Sequence, residues 1–565
     1  MRFLIASALL LGAAGCTTLP APAPRAATGA SPAIACDAVA ARFAHPATRI
    51  ASAERVAAGQ LRLPGIASPM PEHCLVKGAM HERTSPVDGK RYAIGFEMRL
   101  PTAWNGRFLY QANGGLDGFV TPAYGDIHGG GQASNGLLKG FAVISSDAGH
   151  AFDRSTPIGG ATFGLDPQAR LDYGYNAVAQ LTPMAKALIH AYYGKRPDKS
   201  YLTGTSNGGR HGFVAASRLP QEYDGILVGT PGYRLPLAAA AQLWGAQQFA
   251  TIAQRNPATG RPDLATALPP AAMDVVARSV LAKCDALDGL ADGIVGDLQA
   301  CQATFNVERD IPSCASGAAA ASCLGTAQKQ VLARVLAGPR LADGSPVYAA
   351  LPFDPGLAGR DWAAWKFVNS VGPRDAIAMG FVFSTPPASP SVLTGAGNTL
   401  IDYVLGWNVE AEVPKLGPAL GFMAPPDPLM RDFVARGGKL VVYHGAADPV
   451  FSALDTIQWH SAFTRAHGAA ARNHVRLYVV PGMNHSRGGP ATDQFDLLDP
   501  LVRWVEQGAA PEAVVARARG AAAAVPNPEV PAAWGYRTRP LCPWPQVARY
   551  NGSGNVEDAA SFSCR

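Results

Sequence analysis

The stretch Tyr201-Leu202-Thr203-Gly204-Thr205-Ser206-Asn207-Gly208-Gly209-Arg210 constrains this chain more than any other. Tyr201 to Thr203 read as the end of a buried strand. Gly208-Gly209-Arg210-His211-Gly212-Phe213-Val214-Ala215-Ala216 reads as a helix packed closely on it. Ser206 falls on the turn between them, inside Gly204-x-Ser206-x-Gly208. A sharp strand-to-helix turn lifts a serine oxygen above a sheet, and glycines flank it because side chains would clash there. An ordinary Gly/Ser loop can share the five-residue pattern, so the flanking strand and helix give it meaning.

The chain has 565 residues, too many for one simple core, so a second lobe or a large insertion is expected. Apolar residues make up 48% and charged ones 16%, a globular composition that excludes a disordered chain. The net charge of +6 comes without a Lys/Arg run or a basic aromatic motif, which argues against nucleic acid as a partner. Met1-Arg2-Phe3 and the apolar run Leu4 to Ala14 have the form of an export signal, too short for a membrane span. Leu11-Gly12-Ala13-Ala14-Gly15-Cys16 resembles a lipoprotein signal, although Ala13 stands where Leu is usual. Two routes stay open: lipidation at Cys16, or simple cleavage at a small-residue site. Residues 1–16 are thus the signal peptide and 17–32 an Ala/Pro-rich tether. With Cys16 set aside, eight of the nine cysteines remain. Proximity suggests four local bridges in an oxidising compartment: Cys36–Cys74, Cys284–Cys301, Cys314–Cys323 and Cys542–Cys564.

Along the chain, alternation over Arg91 to Leu100 predicts a half-buried antiparallel strand. Phe108 to Gln111 predicts a short strand running into Ala112-Asn113-Gly114-Gly115-Leu116-Asp117-Gly118. A Gly-rich loop there suits half of an oxyanion hole, with Gly114 or Gly115 giving one N–H and Asn207 the other. Gly140 to Asp147 is the next strand, and Asp147 and His150 at its end are expected to pair as a structural contact near the site. Tyr173 to Tyr193 predicts a helix kinked at Pro183. Gly225 to Gly229 and Lys439 to Gly445 are further strands, and the stretch between them exceeds any ordinary connection. The expected architecture is α/β: an α/β-hydrolase core sheet over 33–231 and 431–565, with a lid domain inserted over 232–430.

Inside that lid, Cys284-Asp285-Ala286-Leu287-Asp288-Gly289-Leu290-Ala291-Asp292-Gly293-Ile294 is a short acidic loop with two glycines. Its oxygens suit a structural Ca²⁺, with carboxylates from Asp285, Asp288 and Asp292 and carbonyls from Leu290 and Ile294. A solvated acidic loop is the alternative. Zinc does not suit a site without His or free thiolate. The lid aromatics Trp244, Trp362, Trp365, Phe367 and Trp407 either line an acyl pocket or form the lid's own core.

Asp448 follows the strand ending at Gly445, and His485 follows the strand in Arg476 to Val480. The order Ser206, Asp448, His485 is that of an α/β-hydrolase triad, each member just past a strand. Ser206 would attack an ester carbonyl, His485 would carry the proton, and Asp448 would orient the ring.

These residues resemble the tannase/feruloyl esterase family. The likeness runs over roughly residues 33 to 565. It rests on Gly204-x-Ser206-x-Gly208-Gly209-Arg210, Cys284-Asp285-x-x-Asp288-Gly289-x-x-Asp292-Gly293-x-Ile294, His444-Gly445-x-x-Asp448 and Gly482-Met483-x-His485-x-x-Gly488-Gly489. The resemblance implies a serine hydrolase, a Ca²⁺-holding lid and esters of aromatic carboxylic acids as substrates. The family usually carries a disulfide between the residue before the nucleophile and the residue after the histidine. Here those residues are Thr205 and Ser486, and a hydrogen bond between them is expected to take its place. Other readings keep the triad but change the chemistry to acyl transfer, a terephthalate monoester or an aliphatic oligoester. A non-catalytic, Ca²⁺-stabilised binding protein is the reading from another class.

Overall fold

The computed structural model describes residues 26–127, 133–315, 322–395, 397 and 399–565. The signal peptide, Cys16 and most of the tether lie outside the described residues. A nine-stranded sheet organises the rest. In chain order its strands are β1 (Thr48–Val56), β2 (His73–Thr84), β3 (Arg91–Pro101), β4 (Arg107–Ala112), β5 (Ala142–Ser146), β6 (Lys199–Thr205), β7 (Gly225–Gly229), β8 (Lys439–Gly445) and β9 (Val475–Val480). Across the sheet they run β1-β2-β3-β5-β4-β6-β7-β8-β9. The first three pairs are antiparallel. From β5 to β9 every pair is parallel. This large mixed sheet flanked by helices is an α/β-hydrolase core.

Alternation along the parallel strands explains why the sheet is covered on both faces. Leu202, Ile226, Val228, Leu440 and Val442 belong to one apolar layer. Their neighbours Tyr201, Leu227, Val441 and Tyr443 belong to the opposite one. Successive strand side chains point to opposite faces, so a near-continuous apolar run requires cover on both.

Helix α1 (Ala177–Tyr193) contains Pro183 and is entered through a π turn over Asp172–Asn176. Helix α2 (Asn207–Arg218) follows β6 through Ser206 alone. Close approach, and not turn geometry, explains the glycines here. A Cβ at Gly204 would lie 2.6 Å from the Gly208 carbonyl carbon, and one at Gly208 would lie 2.4 Å from the Ala112 oxygen.

The chain between β7 and β8 is almost wholly helices and turns, beginning with α3 (Leu235–Ala250). Among its described residues the paired strands are Gln254–Arg255 with Pro262–Asp263. All four expected disulfides are present: Cys36–Cys74, Cys284–Cys301, Cys314–Cys323 and Cys542–Cys564. Among the described residues no helix is long and apolar enough to cross a membrane.

The expected Asp147–His150 pair does not form. Asp147 Oδ1 accepts from the amides of Gly95 and Gly149 at 3.0 and 2.9 Å. His150 Nε2 donates to the Leu116 carbonyl at 2.8 Å, and its ring stacks on Phe163 at 3.6 Å. The strand ends at Ser146, so the two residues lie on a loop, where neighbouring amides reach Asp147 before His150 can.

Candidate active site

Ser206 sits between β6 and α2 with φ +61° and ψ −123°. A non-glycine residue held there costs on the order of 1–3 kcal/mol, so surrounding contacts must impose it. Its amide donates to the Gly229 carbonyl at the end of β7 at 3.0 Å, which anchors the turn to the neighbouring strand.

Asp448 lies in the turn after β8, wholly buried. Its Oδ1 accepts from the amides of Val450 and Phe451 at 2.8 and 3.0 Å. Its Oδ2 accepts from His485 Nδ1 at 2.9 Å, and His444 Nε2 stands 3.4 Å away. Burial is the largest influence on this carboxyl and pushes it up. The attraction of His485 and the bonds from His444 and His485 together outweigh burial and hold it below the ordinary range. An ionised Asp448 fixes the proton of His485 on Nδ1 and leaves Nε2 as an acceptor. Nε2 is buried and meets no hydrogen-bond partner among the described residues. The rings of Trp365 and Phe451 stand edge-on to the imidazole, each at 5.5 Å.

The hydroxyl of Ser486 meets Thr230 Oγ1 at 3.0 Å. This corrects the expected Thr205–Ser486 bond. Thr230 directly follows Gly229, which accepts from the Ser206 amide, so the link joins the His485 loop to the strand beside the serine.

The Gly-rich loop does pass beside Ser206: a Cβ on Gly114 would stand 3.7 Å from the Ser206 Cβ. Gly115 has φ +67° and its carbonyl accepts from the Tyr173 hydroxyl at 3.1 Å. Asn207 is the first residue of α2, where backbone N–H groups have no partner within the helix. Its side chain is held fast. Nδ2 donates to Asp117 Oδ2 at 2.8 Å, and Oδ1 accepts from Arg210 Nε at 2.7 Å. Arg210 is fully buried and donates to the carbonyls of Gly174, Tyr173 and Met423 at 2.7, 2.9 and 3.2 Å.

The aromatics between β7 and β8 divide. Trp362, Phe367 and Trp407 are buried in the apolar layer that continues onto one face of the sheet, Trp244 is half-buried, and Trp365 faces His485.

The acidic loop is knitted by its own amides. Asp285 accepts from Asp292 and Gly293, Asp288 from Leu290 and Gly296, and Asp292 from Ile294. Arg539 pairs with Asp292 Oδ2. Asp288 is pushed up to about 7, first by burial and also by Asp292 and Asp285. A buried Asp288 beside the half-buried carboxylates of Asp285 and Asp292 fits a hard cation in chemistry. Among the described residues no three His, Cys, Asp or Glu converge closely enough to share one ion. The geometry is therefore looser than a closed cage.

The sequence pattern of the family described as "Tannase and feruloyl esterase" matches residues 74–565. The chain is similar to a mono(2-hydroxyethyl) terephthalate hydrolase from Piscinibacter sakaiensis, 38% identical over 536 residues, 88% of this chain and 85% of that one. A probable feruloyl esterase B-2 from Aspergillus terreus is 26% identical over 501 residues, 83% of each chain. Among solved structures, feruloyl esterase B from Aspergillus oryzae superposes with a TM-score of 0.72 at 21% identity, covering 94% of this chain and 99% of that one. The chain is a carboxylic ester hydrolase that belongs to the tannase and feruloyl esterase family.

Proposed function

We propose that Ser206, His485 and Asp448 form the catalytic triad of an exported hydrolase acting on esters of aromatic carboxylic acids. The observation that carries this is the 2.9 Å bond from His485 Nδ1 to Asp448, with Nε2 left as a buried, unpartnered acceptor. Nε2 takes the proton of Ser206 Oγ as that oxygen attacks the ester carbonyl. The imidazolium, paired with Asp448, then returns the proton to the leaving alcohol. Water repeats the sequence on the acyl-enzyme and frees the acid. The amides of Asn207 and of Gly114 or Gly115 would stabilise the tetrahedral oxygen.

Aromatic acids are favoured by the half-buried Trp365 beside His485 and by relatives named for ferulate and terephthalate esters. Export is supported by the leader and by four disulfides, which persist in oxidising compartments. The mass of the mature N-terminus separates lipidation at Cys16 from simple cleavage. A structural Ca²⁺ held by Asp285, Asp288, Asp292 and the carbonyls of Leu290 and Ile294 would require the three carboxylates to draw together, giving up amide bonds that they accept in this structure. It takes no part in the chemical steps.

The test is hydrolysis of p-nitrophenyl acetate and of ferulate, gallate and terephthalate monoesters. Ser206→Ala should lose activity by on the order of 10⁴-fold or more. Equal rates for parent and variant would remove the triad; a preference for aliphatic oligoesters over the aromatic panel would remove the substrate class.

A further inference from the structure

The helical segment Arg360–Ala364, continued as a π turn over Trp365–Asn369, belongs to the insert, yet it grips both loops that carry the acid and the base. Asp361 and Trp365 are four residues apart and face the same way on a helix. Asp361 Oδ2 accepts from the backbone N–H of His485 at 3.2 Å, while Trp365 flanks the His485 ring. Lys366, the next residue, is buried and donates to Gln242 Oε1 at 3.0 Å. Gln242 Nε2 in turn donates to the carbonyls of Pro449 and Val450, directly after Asp448, at 2.8 and 3.0 Å. Just upstream, Asp354 Oδ2 accepts from the amide of Gly482, and the Gly356 carbonyl accepts from Asn484 Nδ2, both at 3.0 Å. Five residues of the insert, Asp361, Trp365, Gln242, Asp354 and Gly356, thus converge on two short loops. A lid that only covered a substrate would need none of them.

We infer that Asp361 is a positioning residue for His485, so that the insert completes the triad as well as enclosing it. This rests on the triad proposed above. The backbone of His485 carries the imidazole, and an ester carbonyl must meet serine and imidazole in one alignment. Displacement of a reacting group by about 1 Å can cost about a hundredfold in rate. Bonding of the His485 amide to Asp361 fixes the ring's root, while Asp448 fixes its tip. Next to the ring itself, the Thr230–Ser486 hydroxyl pair and Asp361 hold the backbone of His485 and the residue after it.

The experiment compares Asp361→Ala, Asp361→Asn and Ser206→Ala on one aromatic ester, reading kcat and KM separately, with thermal melting as a check on folding. Asp361→Ala should lower kcat by about ten- to a hundredfold with KM within about twofold, since orientation and not binding is lost. Asp361→Asn keeps an oxygen that can accept the His485 amide, and should hold kcat within about threefold of the parent. An unchanged kcat in Asp361→Ala, with Ser206→Ala inactive, overturns the inference and leaves the triad standing. An equal loss in the Asn and Ala variants also overturns it. Activity retained in Ser206→Ala instead removes the reading on which it rests. Should Asp361→Ala not fold, Asp361→Glu displaces the oxygen with the charge kept, and a parent-like kcat there overturns the inference.

Discussion

Asp117 adopts φ +56° at a non-glycine position, and its carboxyl is enclosed on the loop that passes Ser206. Its amide donates to the Gly114 carbonyl at 3.3 Å, and its Oδ2 accepts from Asn207 Nδ2. One residue therefore links the two backbone segments proposed to supply the oxyanion donors. Burial pushes its carboxyl well up, more strongly than Arg210 and Asn207 pull it down, so the neutral amide of Asn is a close mimic. Asp117→Leu should lower kcat by about a hundredfold, the scale of losing one oxyanion donor, while Asp117→Asn should lose far less. Steady-state kinetics with KM as the internal control check this. At this scale the sequence was legible where local grammar governs. Ser206, Asp448 and His485 each lie just past a strand, as the order of motifs predicted. Asp361, Thr230 and the role of Asp117 were not legible, because each is defined by a partner that only the tertiary fold brings near. A hydroxyl just past β7 was the one available signal for Thr230.

Among the elements, the parallel strands were the easiest to read, since runs such as Lys439 to Gly445 are apolar on both faces. The stretch between β7 and β8 stands out in the sequence by its length alone. Its segment over residues 360–369 carries no motif, and the apolar identity of Trp362, Trp365 and Phe367 did not say which would face the site. The buried Lys366 gives that segment a measurable signature. Burial lowers its ammonium to about 8, against the opposing pull of Asp375 and Asp448. Between that value and the ordinary 10.5, the unfolded chain binds a proton that the folded chain has released. This group therefore makes stability rise with pH across that window. Lys366→Met should flatten the slope there, as read from urea midpoints at a series of pH values. An unchanged slope would place the lysine in water.

For the whole molecule, hydrogen bonds and ion pairs tie the insert to the C-terminal segment. Glu529 accepts from the amide of Arg360 at 2.8 Å and from that of Gly489 at 3.1 Å. Arg537 and Arg539 reach Asp292 in the acidic loop, which the Cys284–Cys301 bridge closes. Breaking that bridge by a Cys284→Ser/Cys301→Ser pair should cost about 2–4 kcal/mol in chemical denaturation. If the loop holds Ca²⁺, a chelator should lower the melting temperature of the parent, and added Ca²⁺ should restore it. Asp288→Asn should blunt both responses.

The four cystines join Cys36–Cys74, Cys284–Cys301, Cys314–Cys323 and Cys542–Cys564, while the residues before Ser206 and after His485 are two alcohols, Thr205 and Ser486, the second bonded to Thr230. Thiol reagents therefore find no disulfide to cleave between the residues flanking Ser206 and His485. Dithiothreitol under native conditions should erode this esterase's heat resistance long before its turnover, making it a hydrolase whose chemistry outlasts its own staples.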